Sequence, residues 1–280
     1  MNCATMEADR QPQPYCMISI IIPVLNEVAI TVAALNRLLL QRGDYEVIVV
    51  DGGSNDGTRD AVRRCAVQLV EMSPDQEAGI GAQINCGAQQ AHGDVLVFLH
   101  IDVQLPDDAL ALINNALTPP TVVGGGFVPR FTRPAHPPNN VALSVVEQIW
   151  QKRTSRLTWF AGDTAPFVRT QNFVAAGGYP TTSFASDWDW AWKLKILGPL
   201  AVIREAALVD SRRHIYNGVV KTLLVTGSVE LMYHLGVNRT FLRNWYRKWL
   251  PRERQLSANQ PSYSGPNTAT LNTNKREGVQ

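Results

Sequence analysis

Four short stretches place carboxylates, amides or an imidazole where they could act on a ligand. The densest is Asp51-Gly52-Gly53-Ser54-Asn55-Asp56-Gly57-Thr58. Glycines such as Gly53 let the backbone take positive φ and approach a ligand closely. Asp51 could accept hydrogen bonds from a base or a ribose, and Thr58 stands where it would cap a following helix. His100-Ile101-Asp102 supplies a carboxylate able to hold Mg²⁺ or Mn²⁺ against a diphosphate, because these cations prefer oxygen ligands and take few from protein when phosphates supply the rest. Pro23-Val24-Leu25-Asn26-Glu27 adds an amide and another acid. Asp187 opens a helical stretch, where the macrodipole favours a charged carboxylate. It could take a proton from a hydroxyl, with Asp163 and Asp189 as the alternative bases. Each has a plainer reading, Asp51 and Asp102 as turn residues and Asp187 as a helix cap. The chain holds no Walker loop and no GxGxxG, so simple ATPase and dinucleotide readings lack their residues.

The elements that must position these groups follow from hydrophobic pattern. Met17–Ile22 is a continuous β-branched run that reads as a buried strand, with Pro23 ending it. Tyr45–Val50, Val67–Val70 and Val95–Leu99 are further short apolar runs. Val28–Leu40, Thr58–Cys65 and Gly79–Ala91 have helical spacing between them. Short, fully apolar strands alternating with helices predict an α/β fold with a mostly parallel sheet covered on both faces. In such sheets ligands sit beyond the carboxyl ends of the strands. Three of the four stretches fall at such ends, after strands one, two and four.

Beyond residue 119 the pattern changes. Val122–Phe131 reads as a strand in which Gly124-Gly125-Gly126 admits a close neighbour. Pro134, Pro137 and Pro138 predict a loop, Asn140–Arg153 a helix, Pro166–Arg169 a short strand, and Asp187–Leu197 a helix. In that helix Trp188 and Trp192 share one face and Trp190 another, serving either the core or a sugar- or isoprenoid-stacking surface. Gly218–Leu235 and Arg239–Leu250 are amphipathic. Residues 1–15 and 255–280 read as disordered tails. The ordered part then divides into a nucleotide-binding half (16–118), an acceptor half (119–210) and C-terminal helices (211–254).

Composition narrows the function classes. A net charge of +2 gives no global reason to bind nucleic acid. The charge is uneven, however, with ten Lys/Arg against four acids between Arg204 and Arg254. That excess reads either as a solvated helix face or as a surface for an anionic partner, including peripheral association with a membrane. Cys3, Cys16, Cys65 and Cys86 show no metal spacing and fit a reducing cytosol, Cys65 and Cys86 as small buried apolar residues in helices. Met1–Tyr15 has no apolar h-region, which predicts no signal peptide. The longest apolar run, Thr222–Leu235, falls short of the roughly 20 residues that span a bilayer.

Taken in order, Ile21-Ile22-Pro23-Val24-Leu25-Asn26-Glu27, Val49-Val50-Asp51 through Thr58, and Asn85-Cys86-Gly87-Ala88 leading to Leu99-His100-Ile101-Asp102 resemble the family 2 glycosyltransferases of GT-A fold. The likeness is closest to the bacterial selenodomain-associated transferase 2 subgroup and runs over about residues 17–250. It continues through Gly125-Gly126-Phe127, Gly162-Asp163, Phe167-Val168-Arg169, Gly177-Gly178-Tyr179-Pro180 and Ser211-Arg212-Arg213. The resemblance implies a glycosyltransferase that moves a glycosyl group from a nucleoside-diphosphate sugar to a hydroxyl acceptor, with inversion. Pro23, Asn26, Glu27, Asp51, Gly53, Asn85 and His100 would then contact the nucleotide, Asp102 would bind the metal and Asp187 would be the base. The acceptor could be lipid-linked, and the location cytoplasmic, including the inner face of the membrane. The sequence departs from the family at Ser186, where an acid usually precedes the base, at Val103, and at Ile80-Gly81-Ala82, which lacks the subgroup's arginines. These departures leave open a non-catalytic sugar-nucleotide or glycan-binding paralogue. A nucleotidyltransferase would need a glycine-rich basic loop after strand one, which is missing.

Overall fold

The computed structural model describes residues 16–73, 79–132, 140–182 and 184–250. The expected tails, the loop at Pro134–Pro138 and Ser183 lie outside them. A single eight-stranded sheet runs β3-β2-β1-β4-β7-β6-β8-β5. Its strands are β1 (Ile18–Val24), β2 (Tyr45–Asp51), β3 (Gln68–Glu71), β4 (Val95–Phe98), β5 (Val103–Gln104), β6 (Gly124–Phe131), β7 (Phe167–Arg169) and β8 (Leu200–Val209). The β1–β4 group is parallel throughout, β7 runs antiparallel to β4 and β6, and β6 and β8 are again parallel.

Buried side chains on both faces explain why the strands read as unbroken apolar runs. Ile18, Ile20 and Ile22 of β1 face one core layer, packed under α1 (Val28–Leu38) and α4 (Ala109–Ala116). Ile21 faces the other, under α3 (Ile80–Gln90) and α7 (Ser186–Leu197). The remaining helices are α2 (Thr58–Arg63), α5 (Asn140–Leu157), α6 (Thr170–Ala175), α8 (Arg212–Asn217), α9 (Val219–His234) and α10 (Arg239–Trp249).

Several expectations are corrected. Pro23 lies inside β1, in register with Val50. The pairing of β1 with β4 ends at Ile21–Phe98, so the ladder has no bond for the N–H that proline lacks. Thr58 does not cap α2. Gly57 holds the capping position, and the Thr58 hydroxyl serves the neighbouring loop instead. Cys65 falls just past α2 and is half-buried. The strand β8 has no counterpart in the sequence reading, because its run is broken by Arg204 and Glu205, which are exposed and bulge out of the pairing with β6. The glycines of β6 do admit close neighbours: a Cβ on Gly125 would stand 2.2 Å from the Ala201 carbonyl, and one on Gly126 would stand 2.4 Å from the Phe160 ring.

Candidate active site

At the carboxyl ends of β1 and β2 two loops are knitted into one surface. Asn26, with φ 55°, accepts the Asn55 N–H at 2.8 Å through its side-chain oxygen, and its own N–H donates to Ser54 Oγ at 2.8 Å. The Glu27 N–H donates to Thr58 Oγ1 at 2.8 Å and the Val28 N–H to Asp56 Oδ2 at 3.2 Å. Burial alone would raise the Asp56 carboxyl, but hydrogen bonds from Thr58 and the Val28 backbone hold it below the usual range. Beneath the loops, the Gln83 amide donates to the Val24 and Val50 carbonyls at 2.8 Å each, tying the two strand ends together.

Asp51 is the pivot of this half. It is 1% exposed, and its Oδ2 accepts the N–H groups of Gly53 and Ser54 at 3.0 and 2.9 Å. Its Oδ1 is buried with no hydrogen-bond partner among the described residues. An unpaired buried acceptor costs about 1–3 kcal/mol, so it marks a place where a ligand donor would be welcome.

A second cluster forms where β4, β7 and α7 meet. His100 Nδ1 lies 3.8 Å from Asp163 Oδ1, and a Cβ on Gly162 would come within 2.3 Å of the His100 ring, so only glycine fits there. Asp187 joins them from the first turn of α7. Its Oδ1 accepts the Trp188 N–H at 3.0 Å, and the Gly162 backbone also bonds the carboxylate. Burial pushes the Asp187 carboxyl above its usual range, and the opposing pull of His100 and of these backbone bonds does not cancel it. Tyr179, buried beside it, has a phenol raised well above the ordinary value by burial and by Asp187 and Asp189.

Asp102 is exposed just past β4. Among the described residues no three metal-binding side chains cluster. The donor set is thus one strand-end carboxylate, which suits a cation that arrives with phosphate oxygens rather than one held in a protein cage. Beside it a cavity of about 210 Å³ opens between α1 and the β4–β5 segment, lined by Ala29, Ala33, Ile101 and Asp102. It is smaller than the roughly 300 Å³ of an ordinary ligand site.

The structure thus brings together Pro23, Asn26, Glu27, Asp51 and Gly53 on one side, and His100, Asp163 and Asp187 on the other. Asn85 has a different surrounding. Its amide donates to the Tyr179 carbonyl and accepts the Tyr179 N–H, both at 2.8 Å, seating the Gly177–Pro180 turn on α3. Gly81, where arginine was expected nearby, sits under the same turn, and a Cβ there would overlap the Pro180 carbonyl at 2.0 Å. Asp189 is fully engaged: Tyr233 Oη donates at 2.6 Å, Arg239 Nη2 at 2.7 Å and Thr182 Oγ1 at 2.9 Å. The three bonds make it a structural clamp. Of the tryptophans, Trp190 is core, packed with Phe98, Phe173 and Tyr179, while Trp188 meets Tyr233 and Trp192 meets Trp159 on the outer face. Sequence reasoning missed Gln83, Tyr233 and the role of Arg239, for which only the fold supplies partners.

A mostly parallel sheet with helices on both faces and its polar crevice at the strand ends defines the GT-A class of fold. The mannosyltransferase PcManGT from Pyrobaculum calidifontis, solved with GDP-Man and Mn²⁺, has that arrangement, with a TM-score of 0.59 and 20% identity over 84% of this chain and 72% of its own. The chain belongs to glycosyl transferase family 2, whose model matches residues 19–173. It is 33% identical over 117 residues to the undecaprenyl-phosphate 4-deoxy-4-formamido-L-arabinose transferase of Aeromonas hydrophila, covering 39% of this chain and 36% of that one. It is 36% identical over 124 residues to a PGL/p-HBAD biosynthesis glycosyltransferase of Mycobacterium bovis, covering 41% and 48% respectively. The chain therefore spans between a third and a half of the length of these relatives.

Proposed function

We propose that the protein transfers a glycosyl group from a nucleoside-diphosphate sugar to a hydroxyl acceptor, with inversion at the anomeric carbon, and that it falls in the selenodomain-associated transferase 2 subgroup. The observation that carries the reading is the unpaired, buried Oδ1 of Asp51 at the end of β2, inside the segment that the family 2 model matches. A base or ribose donor satisfies it. Asn26, Glu27 and Gly53 shape the floor on which the nucleotide lies, and His100 stands at the next strand end.

Asp102 would hold Mg²⁺ or Mn²⁺, which supplies charge neutralisation for the departing diphosphate. Asp187 accepts the acceptor's hydroxyl proton as that oxygen bonds to the anomeric carbon and the carbon–diphosphate bond breaks, the electron pair leaving with the diphosphate. Its raised affinity for protons makes it the stronger base while it stays ionised. The acceptor hydroxyl approaches past Trp188 and Trp192, whose rings offer faces for a sugar or isoprenoid. The name of the Aeromonas relative supports a lipid-linked acceptor.

A thermal-shift screen of UDP-, GDP- and dTDP-sugars with Mn²⁺, followed by a turnover assay on whichever binds, tests this. One donor at a hundredfold above its Kd is expected to stabilise by about 2.7 kcal/mol, a rise of roughly 5–10 °C. Absence of any shift at millimolar nucleotide overturns the reading, and binding without turnover leaves the non-catalytic paralogue.

A further inference from the structure

Helices α5, α9 and α10 lie side by side. Arg153 Nη1 of α5 bonds Glu230 Oε2 of α9 at 2.8 Å, and Trp245 Nε1 of α10 bonds Ser228 Oγ of α9 at 3.3 Å. On each helix the row turned away from the core is apolar. In α5 it is Val141, Val145 and Ile149, four residues apart and all exposed. In α9 and its C-cap it is Val220, Leu224, Leu231 and Leu235, each between 62% and 72% exposed. Helical spacing sets Ser228 beside that row. Through Trp245 the row therefore continues into the aromatic series Phe241, Trp245 and Trp249 of α10, stacked at 6.1 Å in the first pair and tilted at 6.0 Å in the second.

Scattered exposed leucines need no explanation, but exposed apolar rows on three neighbouring helices do. Exposed cations edge it: Lys152 on α5, Lys221 on α9, Arg247 and Lys248 on α10. The acid on α9, Glu230, is paired with Arg153. Among the described residues no helix is long and apolar enough to cross a membrane. Apolar and aromatic rows ringed by lysine and arginine match the boundary between anionic headgroups and acyl chains.

We propose that the joint face of α5, α9 and α10 docks on an anionic lipid bilayer, with the leucine and aromatic rows at the acyl boundary and the cations on lipid phosphates. The face is bolted to the site. Tyr233 at the end of α9 and Arg239 at the start of α10 both bond Asp189, two residues beyond Asp187. Docking therefore fixes the α9–α10 junction, which holds the helix carrying Asp187, next to the bilayer. In purpose this rests on the transfer reading, since it presents a lipid-borne hydroxyl to that residue, but the binding itself does not.

The full chain is co-sedimented with vesicles of phosphatidylcholine and with equimolar phosphatidylcholine and phosphatidylglycerol. Pelleting is expected with the anionic vesicles only, weakened by high salt. The double variant Leu224→Gln/Leu231→Gln is expected to bind at least about tenfold more weakly. Its melting temperature should be unchanged, because these positions are exposed. Should that variant not fold, Arg247→Gln/Lys248→Gln takes its place, with reduced binding and a shallower salt dependence expected. Asp187→Asn should pellet like the parent protein, so failure of the transfer reading and failure of this one are separable. No pelleting with either vesicle overturns the proposal. So does a dimer in solution that Leu224→Gln/Leu231→Gln converts to monomer without any vesicle binding, since the face would then join two copies of this chain.

Discussion

Around Asp51 the partners lie close by in the chain or in the adjacent loop: Gly53, Ser54 and Arg59 about the carboxylate, with Asn26 and Asn55 pairing across. Around Asp187 they come from everywhere: His100 from the end of β4, Gly162 from the turn before β7, and the Asp189 clamp from the α9–α10 junction some fifty residues on. One half of the crevice is thus rigid by local hydrogen bonding, and the other by long-range packing. Under the proposed reading, donor geometry would be set by a self-contained motif, and the proton-accepting side would depend on how the C-terminal helices seat.

The largest effect should break the second half alone. Asp187→Asn keeps a polar side chain at the start of α7 but cannot accept a proton. Turnover is expected to fall by roughly 10²–10⁴-fold, the usual worth of a positioned general base, with nucleotide affinity unchanged. Near-full turnover in this variant, together with its loss in Asp163→Asn, would move the base to the Gly162–Thr164 turn. The variant also has a stability signature. Because burial raises the folded Asp187 pKa, the carboxyl adds stability when protonated at low pH and loses it as pH rises through that value. Asp187→Asn should therefore melt slightly higher than the parent at pH 7 and not at pH 4. Turnover in the parent protein should fall with decreasing pH from a point above the ordinary aspartate range.

Next comes the first half. Asp51→Ala leaves the N–H groups of Gly53 and Ser54 without their acceptor, which should cost about 1–3 kcal/mol and lower melting by roughly 3–10 °C. The nucleotide-dependent shift should vanish with it. If the shift survives, the unpaired Oδ1 is not the nucleotide contact. A smaller effect is expected at the clamp. Arg239→Met removes one of three donors to Asp189, partly exposed, at about 1 kcal/mol after screening, or roughly 2–4 °C. Its diagnostic readout is a higher KM for the acceptor with donor KM unchanged. A change in donor KM instead would mean that the two halves are coupled.

The same contrast explains what the sequence made legible. Strand-end groups after β1, β2 and β4 could be read because parallel strands announce themselves as apolar runs and the groups stand directly behind them. Gln83 could not, since nothing in a helix marks one glutamine as the bridge between two strand carbonyls. Nor could β8, whose charged Arg204 and Glu205 interrupt the pattern that a pairing with β6 permits. Gly81 was visible only as a missing arginine, whereas in the fold it makes room for the Pro180 carbonyl. Asp189 and Asp187 look equivalent in sequence, and only the partners from α9 and α10 separate them.

The smallest effect on stability should come from the other strand-end carboxylate, and it sharpens the comparison most cleanly. Asp51 and Asp102 both follow apolar strands of the same sheet, yet one is buried and bonded while the other is exposed. A carboxylate that the fold does not use is one that a ligand can use. Asp102→Ala should leave the melting temperature of the unliganded protein within about 1 °C of the parent, as an exposed surface change usually contributes under 0.5 kcal/mol in magnitude. The additional stabilisation that Mn²⁺ gives in the presence of a nucleoside diphosphate should disappear, while the part that nucleotide gives alone through Asp51 should persist. Titrating each variant with nucleotide, with and without Mn²⁺, separates these contributions. If Asp102→Ala instead destabilises the unliganded protein as much as Asp51→Ala does, Asp102 is a turn residue and the cation must be held elsewhere.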